Sequence, residues 1–396
     1  MVIGLDASRA NVAHPTGTER YAREVIVRLL NRLSAHTVRL YVREPLLPDW
    51  PSLPAHVQVR VLRWPPAILW SHIRLSWELL MHSPNVLFVP ADTVPLIHPR
   101  RCVTTIHDVA FERFPELYRG KSIQRRMGLL KPIISGLVRL MTLGRYAATE
   151  RDYHRWSVRQ AIRTCNRILT VSEFSKREIQ ETLGVAPERI VVTPLGIRQP
   201  EYFASLPSEL RPMILQRLGV QKPYVLFIGR LEAKKNIELL VRAYQQYCTL
   251  ASDPVDLVLI GQPGFGWEKV EVSFDSEVSR QGIHQLGWQD DSTTDAILTG
   301  ARAFIFISHY EGFGIPALEA MSAGVPVLAS RNGSLPEVLG DAASYVSTDL
   351  SSVAHGLQTI TEDQMLREQC RERGYARVRQ YTWERTTDLT LPLLVN

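Results

Sequence analysis

The 396-residue chain predicts an α/β protein: two Rossmann-like domains, each with a parallel sheet, facing a central cleft. Three observations carry this expectation. Short apolar runs alternate with amphipathic helical patterns in both halves, and strands separated by helices form parallel sheets covered on both faces. The alternation stops in a polar, proline-bearing stretch from Arg198 to Lys222, which reads as a linker, and then restarts. The length also exceeds one ordinary core, because domains of ~150 residues give two or three units here.

The elements follow in order. Val2–Ala7 is an apolar run leading through a polar loop to a helix over Glu19–Leu33, where Tyr21, Val25, Leu29 and Leu33 recur every fourth residue. Thr16 and Glu19 stand at capping-box spacing at its start. Strands follow at Val38–Val42, Val57–Leu62, Val86–Pro90, Val103–Ile106 and Arg167–Val171. The next helix, Phe174–Leu183, has Ser175 and Glu178 at the same spacing, and Val191–Thr193 closes the half. Beyond the linker, strands are expected at Tyr224–Ile228, Val255–Ile260, Ile283–Gly287, Phe304–Ser308 and Val325–Ala329. Helices alternate with them at Ile237–Leu250, Thr293–Gly300 and Pro316–Ala323. No tandem repeat of short period is present, which excludes a solenoid.

Composition narrows the class further. Hydrophobic residues at 45% and charged residues at 22% exclude a disordered or fibrous chain. Cys102, Cys165, Cys248 and Cys370 lie far apart, with no C-x-x-C pair and no Cys/His cluster, which argues against a disulfide scaffold or structural zinc and suits a reducing compartment. The opening Met1-Val-Ile-Gly-Leu-Asp6 meets an acid too early for a signal peptide. No run reaches about 18 uncharged apolar residues; Leu129–Gly144 is broken by Lys131 and Arg139. The expected location is therefore cytoplasmic.

The net charge of +6 conceals an asymmetry. Residues 1–200 hold 29 Lys and Arg against 16 Asp and Glu, whereas the remainder hold 17 against 24. Twelve cations fall between Arg119 and Arg167 with only Glu150 and Asp152 opposing them. Leu129, Leu130, Ile133, Ile134, Leu137, Val138, Leu140 and Met141 are interleaved with these charges. The belt 119–167 is thus read as a peripheral contact with an anionic membrane, at the inner face of a plasma membrane, or with a phosphate-bearing acceptor. A solvated basic helical face is the alternative. Few aromatics for base stacking and no nucleic-acid-binding motif argue against nucleic acid.

The most informative stretch is Phe304-Ile-Phe-Ile-Ser-His-Tyr-Glu311-Gly-Phe-Gly-Ile-Pro-Ala-Leu-Glu319. A buried strand runs into a loop with Gly312 and Gly314, and Pro316 marks the first turn of a helix. Glycines admit close backbone approach, and free amides at a helix N-terminus favour an anion, so this loop is built to hold phosphate. Glu311 and Glu319, seven residues apart in between, are poor phosphate ligands and better acceptors for sugar or ribose hydroxyls. Arg230 and Lys235 straddle another strand-to-helix loop, at the sheet edge where open α/β sheets bind ligands. They could neutralise a departing diphosphate, a role worth roughly a hundred- to a thousandfold in rate per donor; a plain surface charge is the alternative for each.

Together these segments resemble the retaining glycosyltransferases of GT-B fold, the family-4-like, mannosyltransferase-like group 1. Thr105-Ile-His-Asp108, Val171-Ser-Glu-Phe-Ser-Lys176, Pro194-Leu-Gly-Ile197, Gly229-Arg230, Lys235-Asn236, Leu286-Gly-Trp288 and Ser334-Leu-Pro-Glu337 agree in order and spacing. The resemblance implies an acceptor-binding domain over 1–200, a nucleotide-sugar-binding domain over 201–376, and a C-terminal helix near 377–396 that packs back on the first. It implies that Glu319 binds the ribose, that Glu311 faces the donor sugar beside the amides of Phe313, Gly314 and Ile315, and that Arg230 and Lys235 grip the diphosphate. His107 would lie near the donor sugar at the domain interface, or serve as a structural histidine. Leu286 and Gly287 would begin the base-contacting turn, with Trp288 on the base or in packing.

Two departures stand out. Gly17 alone represents the glycine-rich loop expected near the diphosphate, and Arg198 stands where an acid usually follows the Leu-Gly-Ile segment. The implied chemistry is transfer of a hexose from a UDP- or GDP-sugar to a hydroxyl of a glycan or lipid-linked acceptor, with retention, in bacterial surface polysaccharide synthesis. No Asp-x-Asp motif is present, so no metal and no other cofactor is expected. No carboxylate nucleophile for double displacement emerges either. An epimerase-like enzyme or a silent sugar-nucleotide-binding protein on the same fold would share these features.

Overall fold

The computed structural model describes residues 1–64, 69–118, 150–272 and 281–396. They form two compact units, Met1–Gly196 with Trp383–Asn396, and Ile197–Thr382.

The first unit carries strands β1 (Val2–Asp6), β2 (Thr37–Val42), β3 (Val57–Val61), β4 (Val86–Val89), β5 (Arg101–Thr105), β6 (Arg167–Thr170) and β7 (Ile190–Val192). They make one sheet in the order β3-β2-β1-β4-β5-β6-β7, parallel throughout. The second unit carries β8 (Tyr224–Ile228), β9 (Asp256–Ile260), β10 (Ile283–Gly287), β11 (Ala303–Phe306), β12 (Val327–Ser330) and β13 (Ala343–Val346), ordered β10-β9-β8-β11-β12-β13. This sheet too is parallel. Central strands such as Val86-Leu-Phe-Val89 and Ala303-Phe-Ile-Phe306 are buried at every position. Helices cover both faces, which is why these strands read as continuous apolar runs rather than alternating ones.

Local chemistry accounts for the helix boundaries. The carboxylate of Glu19 accepts the Thr16 amide at 3.1 Å, capping the helix Gly17–Arg32. The helix Glu173–Leu183 is capped differently from expectation. Ser172, not Ser175, is its N-cap, accepting the Ser175 amide at 3.0 Å. Ser175 is fully buried inside the first turn, so the sequence spacing misplaced the cap by one turn.

Two further expectations are corrected. The stretch from Arg198 to Lys222 is not a plain linker: it contains helices Pro200–Ala204 and Leu210–Arg217, and belongs to the second unit. Its prolines mislead because proline in a first helical turn sacrifices no hydrogen bond. The cysteines are not all dispersed, and a Cys/His cluster is present, because strand pairing joins segments that are distant along the chain. Cys102 and Cys165 bring their Sγ atoms to 3.2 Å in the first unit's core, with a His98 ring nitrogen within 4.8 Å of both.

The last residues rejoin the first unit. The helix Trp383–Thr390 packs against Gly17–Arg32, and Thr386 Oγ1 donates to the Pro194 carbonyl at 2.6 Å. A Cβ at Gly196 would lie 2.3 Å from the Trp383 backbone nitrogen. The glycine of the Leu-Gly-Ile segment is therefore required by the returning chain. No helix among the described residues is long and apolar enough to cross a membrane.

Candidate active site

In the second sheet the chain steps from β8 outward to β9 and β10, then returns to the other side of β8 for β11, β12 and β13. The order therefore reverses between β8 and β11, and the carboxyl ends of such a strand pair open into a crevice. The loops following both strands carry the candidate residues.

After β8 the chain makes a short turn over Ala233–Lys235, and Asn236 takes the left-handed conformation at φ 59°. Asparagine tolerates this geometry better than most residues. Its Nδ2 donates to the Ile307 carbonyl at 3.3 Å, and the His309 amide donates to the Lys234 carbonyl at 2.9 Å. These bonds tie the β8 loop to the β11 loop. Lys235 Nζ then meets Glu311 Oε1 at 2.6 Å and sits 5.2 Å from the Phe306 ring centroid. The two side chains are only 15% and 8% exposed, so the pair is largely desolvated.

Glu311 is fixed from its backbone as well. Its carbonyl accepts the Ser334 amide at 3.0 Å. Gly333, at φ 64°, lies so close that a Cβ there would sit 2.7 Å from the Glu311 nitrogen and oxygen. The Ser334-Leu-Pro-Glu337 segment thus buttresses the glutamate loop. Gly314, at φ 103°, is the N-cap of the helix Ile315–Ser322, with Pro316 in its first turn. Pro316 has no amide hydrogen and the Ala317 amide donates to the Gly314 carbonyl at 3.1 Å, which leaves Ile315 as the first-turn amide without an intrahelical acceptor. Phe313 is buried edge-to-face against Tyr381 at 5.5 Å.

Glu319 lies on that same helix, and its Oε1 accepts from Arg198 Nε at 3.0 Å. Arg198 also holds Asp295 Oδ2 at 2.5 Å. Burial opposes the Arg198 charge, but Glu319 and Asp295 more than reverse this and hold its pKa above the ordinary arginine value. Burial lifts the Asp295 carboxyl above its usual range despite Arg198 and Tyr202. Arg230 is the outer member of the set: its side chain is 57% exposed and approaches Glu232 at 3.7 Å. Leu286 and Gly287 end β10, where Gln289 Nε2 donates to the Leu286 carbonyl at 2.7 Å. Gly287 is left-handed with open space around it, and Trp288 is 53% exposed rather than packed in the core.

The second unit therefore gathers Arg230, Lys235, Leu286, Gly287, Glu311, Phe313, Gly314, Ile315 and Glu319 along the carboxyl edge of its sheet. His107 and Gly17 belong to the first unit. Gly17 opens the exposed end of its helix. His107 follows β5, edge-to-face with Tyr21 at 4.9 Å, and its Nε2 is buried without a partner among the described residues. Burial depresses its pKa, partly offset by the Pro90 carbonyl, so the ring is neutral near pH 7. Arg198 was legible only as a departure, and Asp295, in mid-helix, gave no sequence signal. Of the basic belt, residues 119–149 lie outside the described residues. In its remainder, Arg155 and Arg159 pair with Glu112 at 2.9 and 3.7 Å.

Residues 15–199 match the family model described as Glycosyltransferase Family 4, and residues 216–377 that described as Glycosyl transferases group 1. The O-antigen chain mannosyltransferase B of Escherichia coli is 30% identical over 386 residues, which is 95% of each chain. Among solved structures, WaaG, a glycosyltransferase involved in lipopolysaccharide biosynthesis, aligns at a TM-score of 0.70 over 100% of both chains, with 15% identity. Anabaena Alr3699/HepE in complex with UDP and glucose aligns at 0.69, covering 100% of this chain and 99% of that one, with 17% identity. The fold is that of the GT-B enzymes. The chain belongs to the group 1 glycosyltransferases and is a transferase enzyme.

Proposed function

We propose that this enzyme moves a hexose from a nucleoside diphosphate sugar, built on UDP or GDP, to a hydroxyl of a glycan or lipid-linked acceptor in surface polysaccharide synthesis. The anomeric configuration is retained and no metal takes part. One observation carries the reading: the desolvated Lys235–Glu311 pair at the β8/β11 switch point, beside the N-terminus of the helix bearing Glu319. A diphosphate entering there exchanges water for the Lys235 ammonium, the Arg230 guanidinium and the partial positive charge of the helix end. Glu311 then accepts from hydroxyls of the sugar and Glu319 from the ribose. Stabilising the leaving diphosphate is the main catalytic task, and the diphosphate itself assists deprotonation of the acceptor. Mannose is the first sugar to test, since the Escherichia coli relative is named a mannosyltransferase.

The test is a thermal-shift panel of UDP, GDP, ADP and their sugars, followed by a transfer assay in excess chelator. Binding at 100 times Kd stabilises the folded state by about 2.7 kcal/mol, so the recognised base stands out as a raised Tm. Donor turnover that produces a new glycosidic bond of the donor's own anomeric form supports the reading. Conversion of the donor alone to a second free nucleotide sugar identifies an epimerase-like enzyme, and binding without turnover a silent receptor. Peripheral membrane contact through 119–167 is a separate proposal, tested by sedimentation with anionic and neutral liposomes; equal binding to both sinks its electrostatic basis.

A further inference from the structure

We propose that Arg198 is a positioning residue for Glu319, and that it sets the enzyme's affinity for the ribose of its donor. The proposal rests on the nucleoside diphosphate reading above and concerns the same site.

Arg198 is the second residue of the second unit. Its guanidinium is a fork between two acids, with Nε on Glu319 Oε1 at 3.0 Å and Nη1 on Asp295 Oδ2 at 2.5 Å. The same Asp295 oxygen accepts from the Tyr202 hydroxyl at 2.7 Å. The guanidinium carbon lies 5.0 Å from the Tyr202 ring centroid and 5.2 Å from that of Phe203. Ser322, on the helix bearing Glu319, donates its hydroxyl to the Arg198 carbonyl at 2.6 Å. Arg198 is thus held at its backbone, its ring face and both edges of its fork, with its side chain only 20% exposed.

The consequence falls on Glu319. A glutamate has several rotatable bonds, and holding it ready for a ligand costs side-chain entropy on binding unless something has already fixed it. A guanidinium supplies directional, charge-assisted donors that fix the carboxylate before the nucleotide arrives. Two carboxylates share this one cation, so Glu319 retains the negative character needed to accept from ribose hydroxyls. An acid at position 198 would instead repel both Glu319 and Asp295. Asp295 is the counterweight: its side chain is wholly buried, and its Oδ1 has no partner among the described residues. The polar contacts of Arg198 run to Glu319, Asp295, Tyr202 and Ser322 rather than to Lys235 or Glu311, so its effect belongs to donor affinity rather than to the chemical step.

The experiment compares wild type with Arg198→Gln, Arg198→Lys and the double variant R198Q/D295N, which removes the unpaired buried acid that threatens folding of the single variant. Each is titrated with the nucleoside diphosphate that wild type binds and with its 2′,3′-dideoxy analogue, and donor KM and kcat are measured. Loss of one charge-assisted contact corresponds to roughly a ten- to hundredfold weaker Kd and higher KM, with kcat near wild type. The weakening should fall on the ribonucleotide and spare the dideoxy analogue, so that discrimination between them collapses. Lysine should recover part of it. A lowered Tm with unchanged Kd and unchanged discrimination in the double variant would mean a purely structural arginine and overturn the proposal alone. Failure of wild type to bind any nucleoside diphosphate would overturn the donor reading and this proposal with it.

Discussion

Lys235 and Glu311 form one contact whose stability and whose proposed part in the chemistry are separable by mutation. With side chains 15% and 8% exposed, each neutralises the other in a desolvated place. Removing one partner strands a buried charge, at a cost of about 3–5 kcal/mol, whereas replacing both with apolar residues of similar volume is often neutral. Lys235→Met should therefore lower Tm strongly, and the double variant K235M/E311L should recover most of it. Sugar transfer should be lost in both, by at least a hundredfold, since a donor aimed at a developing charge contributes about that much. Calorimetry beside a transfer assay checks this. A double variant that regains turnover along with Tm would remove the pair from the chemistry.

At the scale of elements, glycines decide where segments can meet. The returning C-terminal helix crosses Gly196 so closely that the atoms facing an added Cβ are Trp383 backbone nitrogen at 2.3 Å and Cα at 2.6 Å. Backbone cannot swing aside like a flexible side chain, so Gly196→Ala should destabilise the first unit by at least the ~1–3 kcal/mol of an overpacked core. Denaturant unfolding of the variant measures it, and an unchanged midpoint would mean that the return crosses elsewhere. Gly314 presents the same logic beside the site, where a Cβ would meet Leu335 Cδ2 at 2.9 Å and φ is 103°. The motif glycines are thus legible as glycines in the sequence. Their reasons, Trp383 for one and Leu335 for the other, are not, because nothing local identifies the opposing atom.

For the whole molecule, buried histidines set the response to acid. His72 is buried within the turn Trp70–Leu75, with Nδ1 3.1 Å from the Val94 carbonyl and Nε2 3.3 Å from the Tyr153 hydroxyl. Burial pushes its pKa down to about 4, and His107 is shifted in the same direction. The unfolded chain takes up these protons near the ordinary histidine value of about 6.5, before the folded chain does. The resulting stabilisation is complete above that value and is lost as pH falls, toward about 4 in the case of His72, with a slope of at most ~1.4 kcal/mol per pH unit for each histidine. Tm should therefore drop between pH 7 and pH 5, and His72→Gln should flatten the profile. A Tm that rises on acidification over this range would contradict the assignment.

The two strand–helix series and the glutamate loop are legible along the chain, because periodicity, glycine placement and a helix start are short-range properties. The periodicity and the structure give the same bounds for Ile283–Gly287 and Ile237–Leu250. The edge strand Ala343–Val346 was invisible, since four residues of mixed polarity carry no period. Packing of whole elements brings Cys102 against Cys165, whereas the choice of Ser172 over Ser175 as helix cap is local and turns on which of two nearby serines leaves the helix. Only the tertiary structure brought Arg198 to Glu319, 121 residues away. Contacts of that separation depend on how whole elements pack, and no local spacing along the chain records which side chains a folded core will bring together.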